Sequence, residues 1–393
     1  MLMRKNLWGL FFFFFLNTVF SQEKRLEITS QVRKESTFVK TGEIDVNAKK
    51  ESEEESGDKE NLKNTEESNF LFNEPRSLEK ETENFRVDIL EINSKYSDYA
   101  PSFYKGELVF ASSRNKGRLT TILHDLNNQP FLDLYTTKPA TKGGKSVIRL
   151  KGSINTKFHE SSAIFSKDGK TVYFTRNSYS NSTPVRSSKG IVLLKMYRAT
   201  YHNGKWIDIE ELPFNSAEYS IAHPALSLDE KFLYFASDMP GSYGESDLYM
   251  VELYKDGSFG TPQNMGSVIN TSGRETFPYI SDKGKLFFAS DGHQGLGGLD
   301  IFMAVPTEYE KIKVYNLGAP INSSEDDFTF IINEADKKGY FASNRKGGRG
   351  DDDIYSFEQI GPLLEYRKRM PKVKKKLEQH MKFKPKKVET TSL

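Results

Sequence analysis

From Pro224 to Asp238 the chain reads PALSLDEKFLYFASD, and a short DLY at Asp247–Tyr249 completes the phrase. An apolar stretch, a charged turn, a run of alternating aromatics and a small-residue tip spell two antiparallel strands and the start of a third. Four other stretches repeat the phrase: APSFYKGELVFASSR (100–114), SAIFSKDGKTVYFTRN (162–177), FPYISDKGKLFFASD (277–291) and FTFIINEADKKGYFASN (328–344). Anchored on the second-strand aromatic, the copies fall at Phe110, Phe174, Phe235, Phe288 and Phe341, in steps of 64, 61, 53 and 53 residues. A period near 50 residues with several short strands per unit is the signature of a β-propeller. The expected fold is therefore all-β, a propeller of five four-stranded blades. A sixth blade would have to be hidden in the insertions at Gly117–Phe131 and Ser178–Lys189.

Each unit is preceded by a further strand-like run that ends in Asn: Asn93, Asn155, Asn215, Asn270 and Asn322. Asn suits such a place because its side chain bonds nearby backbone. The first run, FRVDILEIN, precedes any unit it could finish, so it is expected to pair beside Asp353–Phe357 and close the ring, leaving no open edge.

The propeller is bounded at 85–358, with distinct arms on either side. Residues 1–21 have a positive start (Arg4, Lys5), an apolar run from Leu7 to Leu16 and small residues near Ser21, the pattern of a cleaved signal peptide. Residues 22–84 form an acidic linker, with 17 acids against 11 bases from Glu23 to Glu83, and 359–393 a basic tail, with 11 bases against 3 acids from Leu363 on. Neither arm has the apolar content to offset its chain entropy, so both are expected to be disordered. The sequence has no Cys, which excludes disulfides, thiolate metal sites, cysteine nucleophiles and a lipid-modified cysteine.

FSKDGKTVYF, FASDMPGSYGESDLY, FASDGHQGLGGLDIF and FASNRKGGRGDDDIY resemble the WD40-like, TolB-type propeller repeat over about residues 85–358. Units one and two depart from that pattern: Leu193–Tyr197 lacks the Asp, and the glycine link of unit one is replaced. The linkers NLGAPINS and NMGSVINTSGRE resemble those of periplasmic OmpA-family envelope proteins, some serving type IX secretion. That resemblance implies a periplasmic address and a propeller that docks OmpA-like or secretion-machinery partners. It does not license peptidoglycan binding, because the domain responsible is not in this chain.

The polar tips after each second strand are candidates for a shared binding rim: Arg114, Arg176, Asn177, Asp238, Asp291, Asn344 and Arg345. Each can equally cap its own turn. Asp247, Asp300 and Asp353 recur before an aliphatic–aromatic pair, a periodicity that argues for a structural carboxylate. Neither Asp351–Asp353 nor Glu325–Asp327 has the alternating oxygen ligands of a calcium loop, so no metal is expected. There is no HExxH, no G-x-S-x-G and no phosphate-cradling glycine loop, and no cofactor is expected. The leading expectation is a non-catalytic periplasmic scaffold with protein partners, no nucleic acid, and peripheral contact with anionic lipid through the basic tail. The alternative is a glycan-binding or glycan-cleaving propeller, motivated by 13% aromatics and the Asp-rich rim. That alternative requires exposed aromatic surface near the channel mouth.

Overall fold

In the computed structural model, residues 84–361 are described apart from 116–122, 124–128, 140–144, 181–182 and 307–311. The expected signal peptide, nearly all of the acidic linker and most of the basic tail lie outside the described residues.

Strand β1 (Phe85–Ile89) precedes five sheets. Blade 1 comprises β2 (Asp98–Tyr104), β3 (Glu107–Ser112), β4 (Asp133–Pro139) and β5 (Lys145–Arg149). Blade 2 has β6 (Glu160–Phe165), β7 (Thr171–Asn177), β10 (Leu194–His202) and β11 (Lys205–Glu211), with a small hairpin of β8 (Tyr179–Ser180) and β9 (Thr183–Pro184) in its insertion. Blade 3 is β12 (Ile221–Leu226), β13 (Phe232–Ser237), β14 (Asp247–Glu252) and β15 (Gln263–Asn264). Blade 4 is β16 (Glu275–Ile280), β17 (Leu286–Ser290), β18 (Asp300–Pro306) and β19 (Ile312–Asn316). Blade 5 contributes β20 (Asp327–Asn333), β21 (Lys338–Ser343) and β22 (Asp353–Gln359), and β1 is its fourth strand. The five-bladed ring expected from the repeat is therefore present. It closes as read, with β1 antiparallel to β22 from Phe85↔Gln359 to Ile89↔Tyr355.

The inner strands share one irregularity. Each skips two residues in its ladder, between Tyr99/Ser102, Ser161/Ile164, Ala222/Ala225, Thr276/Tyr279 and Phe328/Ile331. The first skipped residue has positive φ in all five blades: Ala100, Ser162, His223, Phe277 and Thr329. The second is proline in three of them, Pro101, Pro224 and Pro278. Proline lacks the N–H that the ladder would need, so a bulge is where a strand tolerates it.

Two further devices recur. The linker Asn side chain clasps the third strand in the manner of a strand residue: Asn322 Oδ1 accepts from Ile301 N at 2.8 Å, and its Nδ2 donates to Ile301 O at 2.9 Å. Asn93, Asn155, Asn215 and Asn270 do the same with Ile354, Leu134, Met196 and Leu248. The glycine of the late link is required by close approach. A Cβ at Gly244, Gly297 or Gly350 would sit 2.3, 2.3 or 1.9 Å from a backbone oxygen of the next blade's linker. Asn322→Ala strands the buried Ile301 N–H and is expected to cost about 2 kcal/mol, read as a lower urea midpoint at unchanged m-value.

Candidate functional site

The tips and late links of all blades share one face of the ring, because each lies at the same end of its sheet. The rim arginines are engaged there within their own blades. Arg345 Nη2 donates to Asp327 Oδ1 at 2.5 Å and to Ile321 O at 2.6 Å, and its guanidinium lies 4.9 and 5.0 Å from the Phe341 and Tyr355 ring centroids. Arg114 repeats this with Asp98, Ile92, Phe110 and Tyr135. Arg176 does so with Glu160, Ile154, Phe174 and Tyr197. In blade 4, His293 takes the role, donating to Ile269 O at 2.8 Å and packing on Phe288 and Phe302. Blade 3 has neither charge: Ile221 replaces the acid, and Met239 packs with it in an apolar cluster. The acid that opens the inner strand is thus matched by a tip arginine in blades 1, 2 and 5 and by His293 in blade 4, and both are missing in blade 3.

The other tip residues are also placed within their blades. Asp238 accepts from Ser220 N at 2.6 Å. Asp291 accepts from Arg274 N, Nε and Nη2 at 2.6–2.8 Å. Asn344 exchanges bonds with Asp326, and Asn177 is buried with its Oδ1 unpartnered. Asp247, Asp300 and Asp353 each accept two link N–H groups, from Tyr243 and Gly244, Leu296 and Gly297, and Arg349 and Gly350. Burial pushes the Asp300 carboxyl up to about 6. Burial likewise carries Glu160 up to about 7, although Arg176 opposes it.

One column of the repeat is broken at this face. The residue two before the one clasped by the linker Asn is Leu132, Leu194, Ser246 and Leu299 in blades 1 to 4, all buried, and Asp352 in blade 5. In four of these positions the backbone oxygen takes the first N–H of the next inner strand; the Asp98 N to Asp352 O bond is 2.8 Å. Asp352 is therefore a carboxyl in a place the ring reserves for small or apolar residues. Burial pushes it up to about 7, helped by repulsion from Asp351, Asp326 and Asp353. Its neighbour Asp351 is exposed and accepts from Gln129 Nε2. Gln129 belongs to the unit-one insertion, and its Oε1 accepts from Ser113 Oγ at 2.7 Å. The insertion thus reaches from blade 1 to blade 5 beside the broken column. In the sequence Asp351 and Asp352 stand out only as part of a failed calcium loop, and Asp353 also as one of the recurring structural carboxylates. Aligning the five units column by column would have exposed Asp352. Among the described residues no cluster of His, Asp and Glu is arranged to hold a metal.

Below this mouth, rings from blades 1, 4 and 5 pack together, and the Tyr99–Phe277 contact joins two blades that are not neighbours. Tyr99 lies 6.0 Å from Phe328 and 6.4 Å from Phe277, and Phe277 lies 5.2 Å from Phe328. A ligand on this face therefore sits on the mouth rather than threading the channel. On the same face of the ring, in the blade 3 link, Tyr243 is 58% exposed.

No family model matches this chain, and no curated protein matches it. Solved structures do. A TolB from Agrobacterium tumefaciens aligns at 15% identity and TM-score 0.39, over 63% of this chain and 70% of that one. Puromycin hydrolase aligns at 10% and 0.37, over 63% and 50%, so this chain matches half of that enzyme's length. The α-L-arabinofuranosidase from Lactobacillus brevis aligns at 13% and 0.40, over 72% and 98%. The likeness is one of fold, a TolB-like propeller. The expectation of a non-catalytic docking protein is corrected: the similar propellers include those of enzymes, peptidases and glycosidases among them, so the fold does not mark the chain as non-catalytic. A regular repeat without a motif does not mark a propeller as non-catalytic.

Proposed function

We propose that this chain is an exported, glycan-cleaving propeller whose reaction site is the tip-face mouth where blade 5 meets blade 1. The observation that carries the reading is Asp352, a half-buried carboxyl raised to about 7 in a column otherwise filled by Leu and Ser. Glycoside cleavage needs one carboxyl that is still protonated near neutrality to protonate the leaving oxygen, and a second, ionised one to act on the sugar or on water. Asp352 is the candidate acid, and Asp351, exposed and oriented by Gln129, the candidate carboxylate. Tyr243 offers a face on which the C–H side of a pyranose can stack. The signal-like first 21 residues and the resemblance of the linkers to envelope proteins support a periplasmic address.

The test is release of reducing ends from a panel of envelope and plant polysaccharides between pH 5 and 8. The acid acts in its protonated form, so kcat/KM should fall as pH rises through about 7. Asp352→Asn should lower kcat by about 10²–10⁴-fold with the melting temperature retained. Tyr243→Ala should raise KM. Folded wild-type protein that cleaves none of the panel would refute the proposal.

A further inference from the structure

Beneath the aromatic layer the five bulges line a partly open axial cavity of about 50 Å³, with Ser102, Ser162, His223 and Thr329 on its polar side. We infer that this cavity is a binding site for a small cluster of ordered water, held by hydroxyls and bulge backbone from all five blades. The hydroxyls argue this directly. Ser102 Oγ and Thr329 Oγ1 belong to residues only 4% and 6% exposed, and neither has a partner in the protein. A buried hydroxyl without a partner costs on the order of 1–3 kcal/mol. Two such groups facing one cavity point to a polar occupant.

The remaining polar wall has the same requirement. Ser162 Oγ and His223 Nδ1 are 2.8 Å apart. Burial holds the His223 imidazole down to about 3, so the pair is uncharged at neutral pH and the cavity has no ion to attract. The ladder skips two residues in every inner strand, which turns backbone groups of the bulges away from their β partners. Pro101, Pro224 and Pro278 bring carbonyls without N–H donors. Such a lining has more acceptors than donors, which favours a ligand that can donate two hydrogens. A water needs about 10–15 Å³ and two to four polar partners. The volume admits a cluster of that size and no sugar residue, so the cavity is distinct from the site proposed on the tip face and does not depend on it.

A crystal structure of the whole protein at a resolution that orders solvent, paired with crystals under xenon pressure, decides the matter. Expected is density within about 2.7–3.2 Å of Ser102 Oγ and Thr329 Oγ1, with no xenon bound on the axis. Thr329→Val keeps the shape and removes one hydroxyl. It should lose the solvent peak at that position and keep those at Ser102 and Ser162. Xenon occupying the cavity, an organic molecule filling it, or an unchanged solvent pattern in Thr329→Val would each overturn the inference. Should Thr329→Val fail to fold, Ser102→Ala provides the same reading from blade 1.

Discussion

Deletion of Phe85–Ile89 should collapse the fifth blade and give an unstable protein more prone to self-association than the parent. That strand is the only part of blade 5 contributed from the start of the ring; the other three strands arrive more than 200 residues later, from Asp327 onward. Without β1, the outer strand β22 would present its unpaired N–H and C=O groups along Asp353–Gln359, a template for pairing with another chain. The side-chain loss is comparable. Phe85 is 2% exposed and meets Phe357 edge-on at 5.4 Å. Removing a buried Phe ring alone costs about 3–5 kcal/mol, a large part of the about 5–15 kcal/mol that typically holds a domain together. Phe85→Ala should therefore lower the urea midpoint sharply while the protein still folds in buffer. The full deletion should melt at lower temperature and elute in larger species on a sizing column. A synthetic peptide spanning 84–92, added in trans, should restore the elution of the parent. If the deleted protein melts and elutes with the parent, closure by β1 is not what holds the ring.

How much of this was readable from residues alone depends on the kind of regularity involved. The blade pattern was legible because it is written in types that repeat: Phe110, Phe174, Phe235, Phe288 and Phe341 at near-constant spacing, and an Asn before every inner strand. The role of the first strand was legible because FRVDILEIN matched the later linkers and had no blade of its own. The tip cations were harder. Arg114 and Arg345 follow their aromatics by four residues, Arg176 by two, and blades 3 and 4 have Met239 and His293 instead. Those offsets made the arginines look like a free rim, whereas each reaches back to the acid that opens its own inner strand. Asp352 was illegible for a different reason. Its chemistry comes from what surrounds it, and the surroundings are set by the pairing of blade 5 with blade 1. Inside DDD its charge looks like that of any solvated run; only the Leu, Leu, Ser and Leu of the equivalent positions show that it is out of place.

The buried clasp gives the second large effect, and blade 3 supplies its control. Arg345→Met should leave Asp327, whose side chain is fully buried, without its cation. Breaking one side of a buried pair costs about 3–5 kcal/mol, because the remaining charge has no solvent. The pH dependence follows from the sign of the shift. Burial already raises Asp327, and Arg345 is the largest opposing influence. Without that influence the folded carboxyl holds its proton to higher pH than the unfolded one. The variant should then be most stable below the unfolded carboxyl's range and lose stability as pH rises through the folded value, so its deficit relative to the parent is larger at pH 8 than at pH 5. Adding salt should not rescue it, since a buried pair is little screened. The double variant Asp327→Ile, Arg345→Met copies the Ile221 and Met239 of blade 3. Replacing a buried ion pair by apolar residues of similar size is often neutral, so the double variant should recover most of the stability lost by Arg345→Met, a non-additivity of more than 2 kcal/mol in a double-mutant cycle (about 0.5–3 kcal/mol is usual for contacting residues). Ser323 gives up its bonds to Asp327 in that double variant, which keeps the recovery short of complete. Strictly additive costs, or a single-variant deficit that does not grow with pH, would mean that the clasp holds the blade through ring packing of Arg345 on Phe341 and Tyr355 and not through its charge.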